Sequence, residues 1–186
     1  MGRWEPGARE RLAAAAIELF VERGYEATTV ADIAARAGLT ERTFFRQYTD
    51  KREVLFGDPT EYNAVFTDAV AGAPADAGTL DAITAALRAA GAWFEGRHPY
   101  ARRRAAVIDA NPALLERELV KRLHLTEGIA AALVARGAAA GAAALAAELA
   151  TVSFYQAFAR WVAEPEESNL GALAVSVLGE LRALAG

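Results

Sequence analysis

Thr40, Glu41, Arg42 and Thr43 stand side by side at the start of a short polar segment. An arginine in such a place can make a bidentate contact with the O6 and N7 atoms of guanine. A threonine can hydrogen-bond a base edge or meet a thymine methyl group. This is the chemistry of reading a DNA major groove, and it needs side chains presented from the first turn of an exposed helix. Phe45, Arg46, Gln47 and Tyr48 follow, offering a cation, an amide and two rings placed to pack either on a passing sugar-phosphate backbone or on the domain interior. Thr29 precedes another helix, whose first amides can hold a phosphate. Lys51, one turn past Tyr48, supplies a further cation for the backbone.

Other chemistries fit the sequence poorly. The chain of 186 residues has no cysteine, which removes disulfides, thiolate catalysis and cysteine-ligated metals. Its two histidines, His98 and His124, are far apart in sequence and belong to no ligand-spaced pair, so no metal site or cofactor is expected. Ser153 and Ser168 have no base or acid at a catalytic spacing, and no glycine-rich phosphate loop occurs. An enzyme is not expected. The net charge is −4, yet residues 1–56 carry nine basic and nine acidic side chains. Between Arg36 and Arg52, five basic residues (Arg36, Arg42, Arg46, Lys51 and Arg52) stand against two acidic ones (Glu41 and Asp50), a local basic stretch compatible with nucleic acid. The N-terminus has no signal-like apolar core. The apolar tract 128–147 is mostly alanine and glycine, too weakly hydrophobic for a membrane span. A cytoplasmic protein with no membrane partner is expected.

These groups need a frame, and the apolar periodicity supplies one. Residues 10–23 form a first helix, with Leu12, Ala16, Leu19 and Phe20 on one face and Gly24 placed to end it. Thr29 and Asp32 form a capping box for a short second helix that stops at Gly38. Thr40 caps the third, residues 41–48. The interval 37–40 is the tight glycine-bearing turn that a helix-turn-helix requires. Asp50 opens another helix, and Asp58-Pro59-Thr60-Glu61 is a second start signal, so that helix is either kinked near Gly57 or broken there. Further helices are expected over 79–95, 99–110, 112–136, 142–163 and from 170. The fold class is all-α with about nine helices. A three-helix helix-turn-helix domain, 1–56, precedes a larger helical domain, 57–186.

The stretch from the first helix ending Arg23-Gly24-Tyr25 through TTVADIAARAGLTERTFFRQYTDKREVL resembles the TetR family of bacterial transcriptional repressors. The resemblance covers residues 10–55 closely, and beyond them only in length and helical pattern. It implies a homodimer on a near-palindromic double-stranded operator, released by a small-molecule effector. Two positions depart from the family pattern. Phe45 stands where tyrosine is common and Gln47 where histidine is common, and both family residues contact phosphate. The break at Gly57-Asp58-Pro59 also interrupts a helix that is often continuous in the family.

In the larger domain, Tyr62, Phe66, Trp93, Phe94, Tyr155 and Phe158 are candidates to line a ligand cavity. Arg103, from the run Arg102-Arg103-Arg104, is a candidate to meet an anionic ligand group. An apolar or amphipathic effector follows, and acyl-coenzyme A-like ligands of some family members would suit such a site. For the dimer interface, Leu170, Leu173, Val177, Leu181 and Leu184 form a stripe on the last helix. Phe154 and Trp161 are added from the helix before it.

Overall fold

The computed structural model describes residues 7–185. Among these, ten helices and no strand occur: α1 (Ala8–Arg23), α2 (Val30–Arg36), α3 (Glu41–Gln47), α4 (Glu53–Phe56), α5 (Pro59–Ala71), α6 (Thr79–Trp93), α7 (His98–Asp109), α8 (Pro112–Ala135), α9 (Ala140–Ala163) and α10 (Leu170–Ala185). The all-α expectation holds. The helix count depends on the segment after Asp50. It is broken rather than kinked: α4 is a single turn, Gly57 ends it at φ 65°, and Asp58 caps α5 by accepting from the Thr60 amide at 2.8 Å.

By contacts the chain forms two units. One comprises the described residues up to Gly57 together with Tyr100–Glu118; the other comprises Asp58–Pro99 and the described residues from Leu119 onward. The sequence reading assigned all of 57–186 to the larger domain. The difference is physical, because Val107 and Ile108 of α7 and Leu114 of α8 are buried in the same apolar core as Leu12, Leu19, Ile33 and Phe44. Polar clasps add to this packing. Arg104 donates through Nε to the Leu55 carbonyl (2.6 Å) and through Nη2 to Glu118 (2.5 Å), while Arg117 pairs with Glu53.

In the second unit α5, α9 and α10 pack on α6. The α6–α10 crossing is set by glycine against glycine. A Cβ built on Gly91 would lie 2.2 Å from the Gly171 nitrogen, so only an unsubstituted backbone permits this approach. α9 is long and apolar enough to cross a bilayer by length and composition alone, but 44 % of its most apolar window is buried inside the fold. It is a core helix of this unit, with Ala143, Ala147, Ala150 and Phe154 fully packed.

Candidate nucleic-acid interface

The helix-turn-helix is built by local hydrogen bonding. Thr29 accepts from the Asp32 amide at 3.1 Å while Asp32 accepts from the Thr29 amide at 3.0 Å, the expected capping box with aspartate in the glutamate role. α2 ends at Ala37, and Gly38 turns the chain at φ 65°, a conformation open mainly to glycine. Thr40 then caps α3 by accepting from the Thr43 amide at 3.2 Å. Phe44 is fully buried and anchors α3 in the core. With Phe44 facing inward, the helical period turns Thr40, Glu41, Arg42, Phe45 and Arg46 to solvent and leaves Thr43 and Gln47 half-exposed. Phe45 keeps 56 % of its surface exposed although it is a large apolar ring.

The basic surface is narrower than composition implied. Arg36 points back to α1, forming two hydrogen bonds to Glu22 (2.8 and 3.1 Å) and one to Glu18 (3.3 Å). Arg52 is held by Asp50 at 2.8 Å. The exposed cations of α3 are Arg42 and Arg46.

Two expected phosphate contacts, Tyr48 and Lys51, need correction, and the Thr29 hydroxyl has a partner of its own. Tyr48 is buried, its hydroxyl donates to the Arg9 carbonyl at 3.1 Å, and burial pushes its phenol up to about 12. It is a core residue of the head. Lys51 donates from Nζ to the carbonyls of Tyr25 (2.7 Å) and Thr28 (2.9 Å) and lies 4.1 Å over the Tyr25 ring. Its ammonium pins the α1–α2 loop rather than standing ready for a phosphate. The Thr29 hydroxyl donates to Asp32 at 2.7 Å. Lys51→Ala is accordingly expected to lower the melting temperature of the head and leave the salt dependence of DNA binding unchanged, since no counterion-releasing contact is lost. Titrations over a salt series check this.

Three carboxylates of the head, Glu22, Asp32 and Asp50, titrate below their usual values. Hydrogen bonds from the Arg36 side chain lower Glu22, and those from the Thr29 hydroxyl and amide lower Asp32. A depressed carboxylate contributes stability above its unfolded value, here 4.5 for Glu22 and 3.8 for Asp32, and loses it as pH falls through the lower folded value. The head's melting temperature should therefore drop on acidification below about pH 4.5, and drop less in Arg36→Gln. Circular dichroism melts read both.

The ligand candidates of the second unit are brought together. Tyr62, Phe66, Trp93, Phe94, Tyr155 and Phe158 join Phe154 and Trp161 in one network of ring contacts, with centroids 4.8–6.1 Å apart. Tyr62 and Phe66 are buried in it as core. Arg103 does not belong there; it is exposed on α7, in the other unit. The cations that do reach these rings are Arg97 over Trp93 (3.9 Å), Lys121 over Tyr62 (3.6 Å) and Arg122 over Tyr155 (5.1 Å). None of the three was legible as such, because each contact joins different helices or a helix and its exit turn. A cleft of about 590 Å3 borders this network through Phe94 and Trp161, and Arg88, Glu95, Glu167 and Asn169 form its polar part. Glu167 accepts from the Gly96 amide at 2.8 Å, and Trp161 donates to the Ser168 carbonyl at 2.8 Å, fixing the cleft wall.

The dimer candidates divide. Phe154, Trp161, Leu170 and Val177 are each at most 2 % exposed within one chain, so they are intramolecular core and not an interface. Leu173 and Leu181 are half-exposed. Leu184, the last residue of the stripe, is 84 % exposed, and Leu145, which lies outside it, is 70 % exposed.

An all-helical chain whose N-terminal helices present α3 from a glycine turn is, as a class, a helix-turn-helix protein. Residues 12–56 match the family described as "Bacterial regulatory proteins, tetR family". The chain is 38 % identical over 81 residues to the HTH-type transcriptional regulator TcmR of Streptomyces glaucescens, a match over 44 % of this chain and 36 % of that one. It thus spans little more than a third of that relative's length. The fold is similar to a transcriptional regulator FadR from Bacillus subtilis in complex with stearoyl-CoA (TM-score 0.64, 19 % identity, 92 % of this chain and 96 % of that chain). It is equally similar to SmeT in its triclosan complex (TM-score 0.64, 19 % identity, 95 % and 90 %). The likeness to the tetR family of bacterial regulatory proteins thus lies in residues 12–56 by sequence and in the fold beyond them.

Proposed function

We propose that this protein is a cytoplasmic, DNA-binding transcriptional repressor and not an enzyme. It acts as a homodimer on a palindromic operator and leaves it when a small apolar or amphipathic effector binds. The helix-turn-helix head reads DNA, and Asp58–Pro99 with the residues that follow Glu118 hold the effector and the dimer contacts. The observation that carries this reading is α3 itself: Arg42, Arg46 and Phe45 stand exposed on a helix whose position is fixed by Phe44, the Thr40 cap and the Gly38 turn. Arg42 and Thr43 meet base edges, and Arg46, Gln47 and Phe45 meet the backbone.

One short helix reads too few base pairs for selectivity, which favours two copies on half-sites about one helical turn apart or a multiple of it. The exposed Leu145 and Leu184 and half-exposed Leu173 and Leu181 on the last two helices supply an apolar face for pairing. Selection of bound duplexes from a random DNA pool tests the DNA reading, and a two-fold-symmetric consensus is expected. Sedimentation showing a monomer at micromolar concentration would contradict the symmetric operator.

A second reading, DNA binding without an effector, is disfavoured by the cleft of about 590 Å3 beside the aromatic network. Its size lies in the range of ligand sites, about 300–1,000 Å3. Stearoyl-CoA and triclosan, bound by the structural neighbours, are amphipathic or apolar probes for a thermal-shift screen. A ligand at about 100 times its Kd stabilises the native state by about 2.7 kcal/mol, an easily read shift.

A further inference from the structure

Arg11 of α1 lies beside the helix-turn-helix turn and is not part of the recognition surface. Its Nη2 donates to the Ala37 carbonyl at 2.5 Å and reaches the Gly38 carbonyl at 3.4 Å. Those carbonyls belong to the C-terminal end of α2, where the helix leaves acceptors without intrahelical donors and where a cation is favoured. The fit is close on both sides. A Cβ on Gly38 would lie 3.1 Å from the same Nη2, so glycine there serves both the positive φ and the passage of the guanidinium. The neighbouring residue Arg9 grips the other end of α3: its carbonyl accepts from Tyr48 and its guanidinium lies 4.9 Å over the Tyr48 ring. The first turns of α1 therefore hold both the entry and the exit of the recognition helix.

We propose that Arg11 is a positioning residue for DNA recognition, setting through the Ala37 and Gly38 carbonyls the direction in which α3 leaves the turn. This rests on the reading of α3 as the DNA-binding helix. A basic residue at the head of such a protein is ordinarily taken for a phosphate contact, and the two roles differ in what they change. Loss of a phosphate contact weakens all sequences alike and lowers the slope of log K against log salt by about 0.9. A displaced α3 misplaces Arg42 and Thr43 against the bases, so it weakens the specific complex and spares the non-specific one.

Arg11→Ala and Arg11→Lys are compared with wild type in the full chain, using a duplex recovered from the random pool and a random-sequence duplex of equal length. For Arg11→Ala, about tenfold or greater loss is expected on the recovered duplex, less than about twofold on the random one, and an unchanged salt slope. Arg11→Lys, whose ammonium still meets a carbonyl, should retain most of the discrimination. Equal loss on both duplexes with a reduced slope, or no loss on either, overturns the proposal.

A DNA-free measurement stands beside it. The amides of Gly38 and Leu39 donate to Ala35 (3.0 Å) and Ala34 (2.8 Å). Their hydrogen exchange should accelerate about tenfold in Arg11→Ala, while the interior of α1 is unchanged. Unchanged exchange at both amides overturns the pin even if the variant binds DNA poorly. A wild type that does not discriminate between duplexes would refute the reading of α3, and the exchange result would still decide the role of Arg11.

Discussion

Arg42→Ala is expected to weaken binding to the specific duplex by about 1–3 kcal/mol, roughly 5- to 150-fold, and to relax the base preference at the position it reads. The expectation follows from where the side chain is placed. Arg36 and Arg52 are committed to carboxylates of their own unit, and Lys51 is committed to two carbonyls. Arg42 stands exposed in the first turn of α3, the part of a recognition helix that meets base edges. Next to it, Thr43 has its backbone amide bonded to Thr40 and its hydroxyl 3.1 Å from the Thr40 hydroxyl, so the turn is already ordered before DNA arrives. Little entropy is then lost on binding, and the cost of removing Arg42 should fall on specific contacts. On a random duplex the variant loses one cation and little else. Anisotropy titrations with the two duplexes separate these outcomes, and equal losses on both would reduce Arg42 to a phosphate contact.

The second large effect concerns the other unit. Gly91→Ala should destabilise it by about 3 kcal/mol, the upper part of the range for overpacking. The added methyl would stand 2.2 Å from the nitrogen and 2.3 Å from the Cα of Gly171. Both are backbone atoms, so no side chain can rotate away and α10 must move off α6. Alanine's better helix propensity offsets only about 1 kcal/mol. Gly171→Ala meets Arg88 backbone atoms at 3.3 Å and should cost less. Gly179→Ala meets nothing within 4 Å and should stabilise α10 by about 0.5–1 kcal/mol. Urea unfolding of the three variants orders them. A Gly91→Ala protein as stable as wild type would mean that α6 and α10 do not cross at these glycines.

What could be read from the sequence was what is encoded locally. The Thr29–Asp32 box, the Thr40 cap, the Asp58 cap and the Gly38 turn are contacts over two or three residues, and each carries its own signature. The exposed face of α3 followed from the helical period once Phe44 was taken as core. Tyr48 and Lys51 misled because their partners are remote: Arg9 lies thirty-nine positions away from Tyr48, and Tyr25 and Thr28 lie well upstream of Lys51. Arg11 escaped notice for the same reason, since nothing near it in sequence points to Ala37.

The C-terminal stripe was ambiguous for a different cause. Leu170 and Val177 show the same spacing whether they pack inside one chain or between two, and only burial within the fold decides it. Three consecutive arginines likewise could not be sorted by sequence. The helical turn leaves Arg103 exposed and sends Arg104 to Leu55 and Glu118. The assignment of 100–118 rests on Val107, Ile108 and Leu114, apolar residues that fit the core of either unit by type alone.

The central claim is that α3 reads DNA sequence through Arg42 and its neighbours. Its most direct test is titration of the full chain against the duplex recovered from a random pool and against a random duplex, at several salt concentrations, for wild type and Arg42→Ala. Wild type should prefer the recovered duplex by about 10³-fold or more, and Arg42→Ala should lose about 5- to 150-fold of that preference with little change on the random duplex. A wild type that binds both duplexes equally, or an Arg42→Ala variant that keeps the full preference, would contradict the account.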